Sequence, residues 1–203
     1  MTATAEPKTA IDQEEQLRAD IYDFLAALLA KPADAALLDK CAGLSGDDTE
    51  LGQAINTLAR VAKAVDAKAV EREFNALFIG LGRGELLPYA SYYLTGFLNE
   101  KPLAELRGDM ARMRIERAPN VFEPEDNIAS LCEMMAGLIL GRFGDPAPIQ
   151  KQKEFYAKHI GPWAGHFFDD LAQAKSSVLY AAVGAVGRAF TEIEAEAFRM
   201  TSY

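Results

Sequence analysis

Cysteine, histidine and tryptophan are scarce in this chain, at two, two and one among 203 residues. Cys41 and Cys132 are far apart and each falls on an apolar helical stripe, so they make no disulfide framework and read as small buried hydrophobes of a reducing compartment. The two histidines, His159 and His166, form no Cys–His cluster with zinc-ligand spacing, and the expectation is no metal and no cofactor. Serine is scarce and no GxSxG elbow occurs, so no catalytic residue is expected. The apolar runs near Leu25–Ala30 and Val178–Phe190 are too short or too interrupted to span a bilayer, which argues against membrane insertion. The first twenty residues hold no basic stretch followed by an apolar core, so no secretory signal and a cytoplasmic location are expected. Positive charge is in deficit too. Twenty-one Lys and Arg against 30 Asp and Glu give a formal charge of −9 and a pI near 4.8. That balance excludes nucleic-acid binding through a general basic surface and favours a basic partner with salt-sensitive association.

Strand signals are missing as well. No segment sustains period-two alternation or shows a hairpin turn, while half of the residues are apolar and a quarter are charged, enough for a substantial core. The pattern that remains is helical. After a polar tail at 1–10, a helix runs from near Asp12 to Lys31-Pro32 with Leu17, Ile21, Phe24, Leu25 and Leu28 on one face. Short helices follow around 33–42, 48–63 and 66–79, then a glycine-rich loop, Gly80-Leu81-Gly82-Arg83-Gly84. Pro88 opens a short helix carrying Tyr89, Ser91, Tyr92 and Tyr93, and Asn99–Pro102 starts another that runs to about Arg114. Two glycines and two prolines within 141–148 make that stretch the best hinge in the chain. A helix capped by Asp145 and running to about Lys158, and helices near 162–175 and 177–197, complete an all-α protein of about ten helices. Its expected organisation is a flexible tail at 1–10, a larger N-terminal helical part at 11–140, the hinge at 141–148 and a smaller C-terminal part at 149–199.

The most informative stretch is Phe122-Glu123-Pro124-Glu125-Asp126-Asn127, running into Ile128-Ala129-Ser130-Leu131-Cys132-Glu133-Met134-Met135. A helix over 124–141 would place Pro124 and three acids in its first turn, where a missing N–H costs nothing and negative charge complements the helix dipole. Ile128, Leu131, Cys132, Met135, Leu138 and Ile139 form a buried stripe at helical spacing. Asp126, Ser130, Glu133 and Gly137 fall together on the opposite face, which reads either as ordinary capped-helix surface or as the floor of a groove.

The glycine-rich loop lacks a preceding strand and the Gly-Lys-Ser/Thr ending of a phosphate loop, so it reads as a connector. A weak GTPase using Gly80–Gly84 is an alternative, and so is a helical scaffold without a peptide client. Trp163 reads as a core anchor, and the arginines at 107, 112, 114 and 117 read as a solvated face because acids intersperse them.

The EPED-N-I-A-x-L-C-E-M-M string resembles the E-P-x-D-H signature region of the TorD/DmsD/NarJ-type redox-enzyme maturation chaperones. Phe74-Asn75-x-Leu77-Phe78-Ile79-Gly80 with Pro88-Tyr89-x-Ser91-x-Tyr93 is similar to the middle of that family, and Phe155-x-x-Lys158-His159-Ile160-Gly161-Pro162-Trp163 to its C-terminal part. The resemblance covers roughly residues 15–197. It implies a non-enzymatic cytoplasmic chaperone that binds the twin-arginine signal peptide, or the apo form, of an exported molybdenum-cofactor oxidoreductase, assists cofactor insertion and delays export. It also implies that the hinge lies where some members exchange domains to form a homodimer. The stretches at 82–89 and 94–103 are most similar to members associated with formate dehydrogenases, with trimethylamine-N-oxide or dimethyl-sulfoxide reductases as alternative clients. One departure is Asn127, where the family usually has histidine; hydrogen bonding is kept and a titratable group is lost. A cationic leader with an apolar stretch needs carboxylates beside an apolar groove. The peptide-binding residues expected on these grounds are Glu85, Tyr89, Ser91, Tyr92, Glu123, Asp126, Asn127, Ser130 and Glu133, with Leu131 and Met135 as further apolar candidates.

Overall fold

The structure, a computed structural model, describes residues 11–119 and 121–201, so the expected tail at 1–10 lies outside the described residues. Among the described residues there are ten α-helices and no strand. They are α1 (Gln13–Ala30), α2 (Ala35–Ala42), α3 (Glu50–Ala62), α4 (Ala67–Phe74), α5 (Ala90–Thr95), α6 (Lys101–Met113), α7 (Ile128–Leu140), α8 (Ile149–Phe155), α9 (Ala164–Gln173) and α10 (Leu179–Met200). The all-α reading holds, and most boundaries fall within a few residues of those read from the sequence.

Side-chain caps explain where several helices begin. Asp12, Asp34, Thr49 and Asp66 accept hydrogen bonds from the amides of Glu15, Leu37, Gly52 and Ala69 at 2.8, 2.9, 3.1 and 2.8 Å. Each such cap typically contributes about 1 kcal/mol. α4 and α8 do not stop at their last α-helical residue but widen into π-helical turns, Asn75–Ile79 and Tyr156–Ile160.

α10 runs through the middle of the molecule. It packs on α9 and α3, touches α1 and α4, and α1 in turn packs along α7. Close approach of α9 and α10 requires Gly184, where a Cβ would come within 2.7 Å of the Ala172 amide nitrogen. One hydrophobic cluster extends from Ala19 to Phe198 and takes in Leu28, Leu58, Leu131, Phe167 and Val183. The stretches 11–140 and 149–199 therefore share a core, and the 141–148 connection lies against it through Phe143 and Ala147.

α1, α8 and α10 are also tied by a polar network. Arg18 donates to Glu194 through Nε and Nη2 at 2.7 and 2.8 Å and to Gln152 at 3.0 Å, while the Tyr22 hydroxyl donates to Glu194 at 2.9 Å. Arg18 sits there although it interrupts the expected apolar face of α1. Leu17, assigned to that face, is instead 56% exposed.

α7 differs from the other helices in being buried almost all round. Its expected stripe is buried, and so are Met134, Ala136 and Gly137 on other sides, leaving Glu133 as its exposed residue. The helix begins at Ile128 rather than at residue 124. Pro124 and the neighbouring acids precede it, and Asn127 is its N-cap.

Candidate functional site: an acid-rimmed groove beside α7

The approach to α7 is zipped to the approach to α5. The Ala90 amide donates to the Asp126 carbonyl and the Ile128 amide to the Pro88 carbonyl, both at 2.9 Å, which makes an isolated antiparallel bridge between Tyr89 and Asn127. Asp126 is 1% exposed and its Oδ2 accepts the Ser91 amide at 2.8 Å. Its Oδ1 is buried without a hydrogen-bond partner, beside a cavity of about 50 Å³ lined by Leu94, Glu105, Lys158 and His159. The expectation that Asp126 shares an outward, peptide-facing side of the helix is corrected: it precedes the helix and its carboxylate turns inward to hold a second segment.

Three further expectations change for similar reasons. Asn127 is buried and caps α7, accepting the Ala129 amide at 2.9 Å. Ser91 is buried, and its Oγ accepts the Glu100 amide at 3.3 Å. Glu125 does not rely on the helix dipole, because Arg107 and Arg117 both donate to it, at 2.9 and 3.0 Å through their Nε atoms. Burial pushes the Glu125 carboxyl up, but the two guanidinium groups outweigh it and hold it below the usual range.

The other acids do meet in a groove. Glu123, Ser130 and Glu133 line a cavity of about 140 Å³ together with Met110, Ile115, Met134 and Phe143, and Glu116 and the Glu125–Arg117 pair line it too. The exposed Glu123 accepts a hydrogen bond from the Tyr89 hydroxyl. Burial, together with that carboxylate, pushes the Tyr89 hydroxyl well above its usual range. Glu133, though exposed as a residue, is also raised, first by partial desolvation of its carboxyl and then by Asp23 of α1, with Arg142 acting in the opposite direction. Arg142 in turn pairs with Asp23, its Nη1 donating at 2.8 Å. A carboxylate held in this way gains from an added cation, and the methionine-lined floor beside it suits an apolar side chain.

Glu85, Tyr92, Leu131 and Met135 do not line this groove. Glu85 accepts the amides of Lys175 and Ser176 at 2.7 and 3.1 Å, closing the loop between α9 and α10. The Tyr92 hydroxyl accepts from Arg83 at 2.7 Å, and the guanidinium also lies 5.2 Å from the ring centre. Leu131 and Met135 are fully buried in the core. Sequence reasoning missed Met110, near the end of α6, Ile115, just after it, and Phe143, in the connection after α7. Only Phe143 had a local signal, the glycine- and proline-rich stretch around it.

A larger cleft of about 670 Å³ lies between α6 and α8, lined by Asp109, Arg112, Lys151, Phe155, Lys158 and His159. Burial, with Lys158 beside it, pushes His159 down to about 4, and its Nε2 lies 2.7 Å from an Asp109 oxygen. Cations outnumber carboxylates there, the opposite of what a cationic leader needs. Among the described residues no group of His, Cys, Asp and Glu could hold a metal ion, and no helix is long and apolar enough to cross a membrane.

Fold and groove together describe an all-helical protein built on one core, with an acid-rimmed apolar groove beside its most buried helix. The chain belongs to the nitrate reductase delta subunit family, whose model matches residues 44–169. It is similar to the protein named Chaperone protein TorD of Vibrio cholerae serotype O1, strain El Tor Inaba N16961, at 26% identity over 195 residues, covering 86% of this chain and 89% of that protein. The protein of the same name from Aliivibrio fischeri is 25% identical over 187 residues, covering 82% and 87%. The fold is similar to that of a protein from Archaeoglobus fulgidus described as a putative redox enzyme maturation protein, with a TM-score of 0.50 at 19% identity over 94% of this chain and 99% of that one.

Proposed function

We propose that this protein is a cytoplasmic maturation chaperone for an exported molybdenum-cofactor oxidoreductase, and that it binds the basic and apolar leader of the apoprotein in the groove beside α7. It holds the client while the cofactor is inserted and so delays export; it is not an enzyme. Family membership and the chaperone relatives support the general role. The observation that carries the site is the meeting of Glu123 and Glu133 in a groove lined by Met110, Ile115 and Met134. Two carboxylates beside an apolar floor match a guanidinium pair followed by apolar residues. The client class is a formate dehydrogenase or a trimethylamine-N-oxide or dimethyl-sulfoxide reductase. The 141–148 segment is the hinge through which α8–α10 exchange when two copies form a swapped dimer.

Calorimetric titration with synthetic leader peptides of these oxidoreductases tests the reading. Saturable binding is expected, weaker at high salt and at least tenfold weaker for the Glu123→Gln, Glu133→Gln double variant. No binding, or unchanged affinity in the double variant, would remove the groove from consideration.

A further inference from the structure

Phe143 stands between two cavities. On one side is the acid-rimmed groove of about 140 Å³. On the other is a cavity of about 320 Å³ lined by Met113, Gly137, Leu138, Ala147 and Lys151. Phe143 lines both. Its ring lies directly on the backbone of α7: a Cβ on Gly137 would come within 2.3 Å of Cε2 and 2.5 Å of Cζ. Ser130, Met134, Gly137 and Leu138 keep i, i+4, i+7, i+8 spacing, so one face of α7 floors both cavities. At the α-helical rise that shared floor is about 12 Å long. With the ring in place there are two short cavities, and a channel through both would pass where the ring now lies.

The ring packs on the core without being enclosed by it, and the connection that carries it is pinned on either side, where the Arg142 amide donates to the Gly137 carbonyl and the Ala147 amide to the Leu138 carbonyl, both at 2.8 Å. It is half-buried, on a connection flanked by Gly141 at φ 67° and Gly144 at φ 149°, and a Cβ on Gly144 would meet nothing within 4 Å. The two ends of the channel differ in charge. Glu116, Glu123, Glu125 and Glu133 lie at the first against Arg117 alone, while Arg112, Arg114 and Lys151 lie at the second against Asp145 alone.

We infer that Phe143 is a plug that the client displaces: an apolar side chain of the leader takes the place of the ring over Gly137, while the leader's cationic pair rests at Glu123 and Glu133. This rests on the proposed function and adds to it the position and direction of the apolar segment. Exchange of one apolar group for another keeps the floor of α7 covered in both states, so the free protein does not expose a long apolar channel. Glycine at 137 lets either group touch the helix backbone. The acidic end attracts the basic start of the leader and the basic end repels it, so the peptide runs from Ser130 toward Leu138.

The test uses the full chain with Phe143→Trp as a reporter, read as difference emission against the wild type, whose Trp163 is buried at 1% exposure. Saturation with a leader peptide whose binding is established by calorimetry is expected to red-shift the emission of the introduced indole as it is released to water. Phe143→Ala is expected to bind the same peptide several-fold tighter because the competing ring is gone. Circular dichroism checks that both variants are folded, and Phe143→Leu, which keeps apolar packing, is expected to fall between wild type and Phe143→Ala. Unmoved emission at saturation, or Phe143→Ala binding no tighter than wild type, overturns the plug while leaving the leader site standing. If wild type binds no leader at all, the function proposed above fails and the plug with it.

Discussion

The Ser91 amide donates to Oδ2 of Asp126 at 2.8 Å, joining two segments that lie 35 positions apart in the chain. That bond fixes where α5 starts relative to α7, and it turns the most suggestive acid of the sequence into an internal tie. Asp126→Ala should leave a buried N–H without a partner, at about 1–3 kcal/mol. Asp126→Asn keeps an acceptor for Ser91 and removes the charge from a carboxylate whose other oxygen has no partner, so it should cost less. Urea unfolding of the two variants checks the order; equal losses would mean that the hydrogen bond does not matter.

Glu85 should prove to be a loop clamp. Its carboxylate holds the amides of Lys175 and Ser176, away from the groove lining. Glu85→Ala is expected to speed hydrogen exchange at residues 174–178 while leaving leader affinity within error of wild type. A large loss of affinity would return Glu85 to the binding site.

The Arg18–Glu194 pair should show strong coupling. Glu194 is 1% exposed and receives Arg18 and Tyr22, so removing one partner strands a buried charge. Arg18→Met alone should destabilise by about 3–5 kcal/mol, and the Arg18→Met, Glu194→Met double variant by clearly less. Additive losses in thermal or chemical unfolding would argue against the coupling.

Glu133 should trade stability for binding. Its carboxyl is raised by burial and by Asp23, against the pull of Arg142. Its share of stability is therefore complete below the usual carboxylate range and is lost as pH rises through the raised folded value. Glu133→Gln removes that loss, so its Tm at pH 7 should equal or exceed that of wild type. A leader guanidinium beside Glu133 would lower its pKa again, so wild-type affinity should rise with pH through a window above the usual carboxylate range. Calorimetry across pH 4–8 reads this directly. A flat profile, or a Glu133→Gln protein that is both less stable and unimpaired in binding, would contradict it.

Helix content was legible because it depends on local spacing. Apolar residues at three and four positions apart, caps at Asp12, Asp34, Thr49 and Asp66, and glycine stops all act within a turn or two of chain. The groove was legible only in part. Glu123, Ser130 and Glu133 line one cavity, whereas Asp126, Asn127 and Ser91 are buried in the surface to which they were assigned. A helical wheel assumes that the side opposite an apolar stripe faces water. α7 breaks that assumption because α1, α8 and the 141–148 connection cover it from several directions.

The sequence by itself determined an all-helical, acidic chain, and it carried the motif string on which the family resemblance rests. Those properties follow from composition, short-range periodicity and residue order. Tertiary structure alone decided which acids are ties and which remain open, because a carboxylate's role depends on donors supplied by distant segments. Asp126 is used up by Ser91 and Glu125 by Arg107 and Arg117, while Glu123 and Glu133 stay on the rim. The floor beside them is assembled from α6, α7 and the connection that carries Phe143, and no local pattern could have brought those three together.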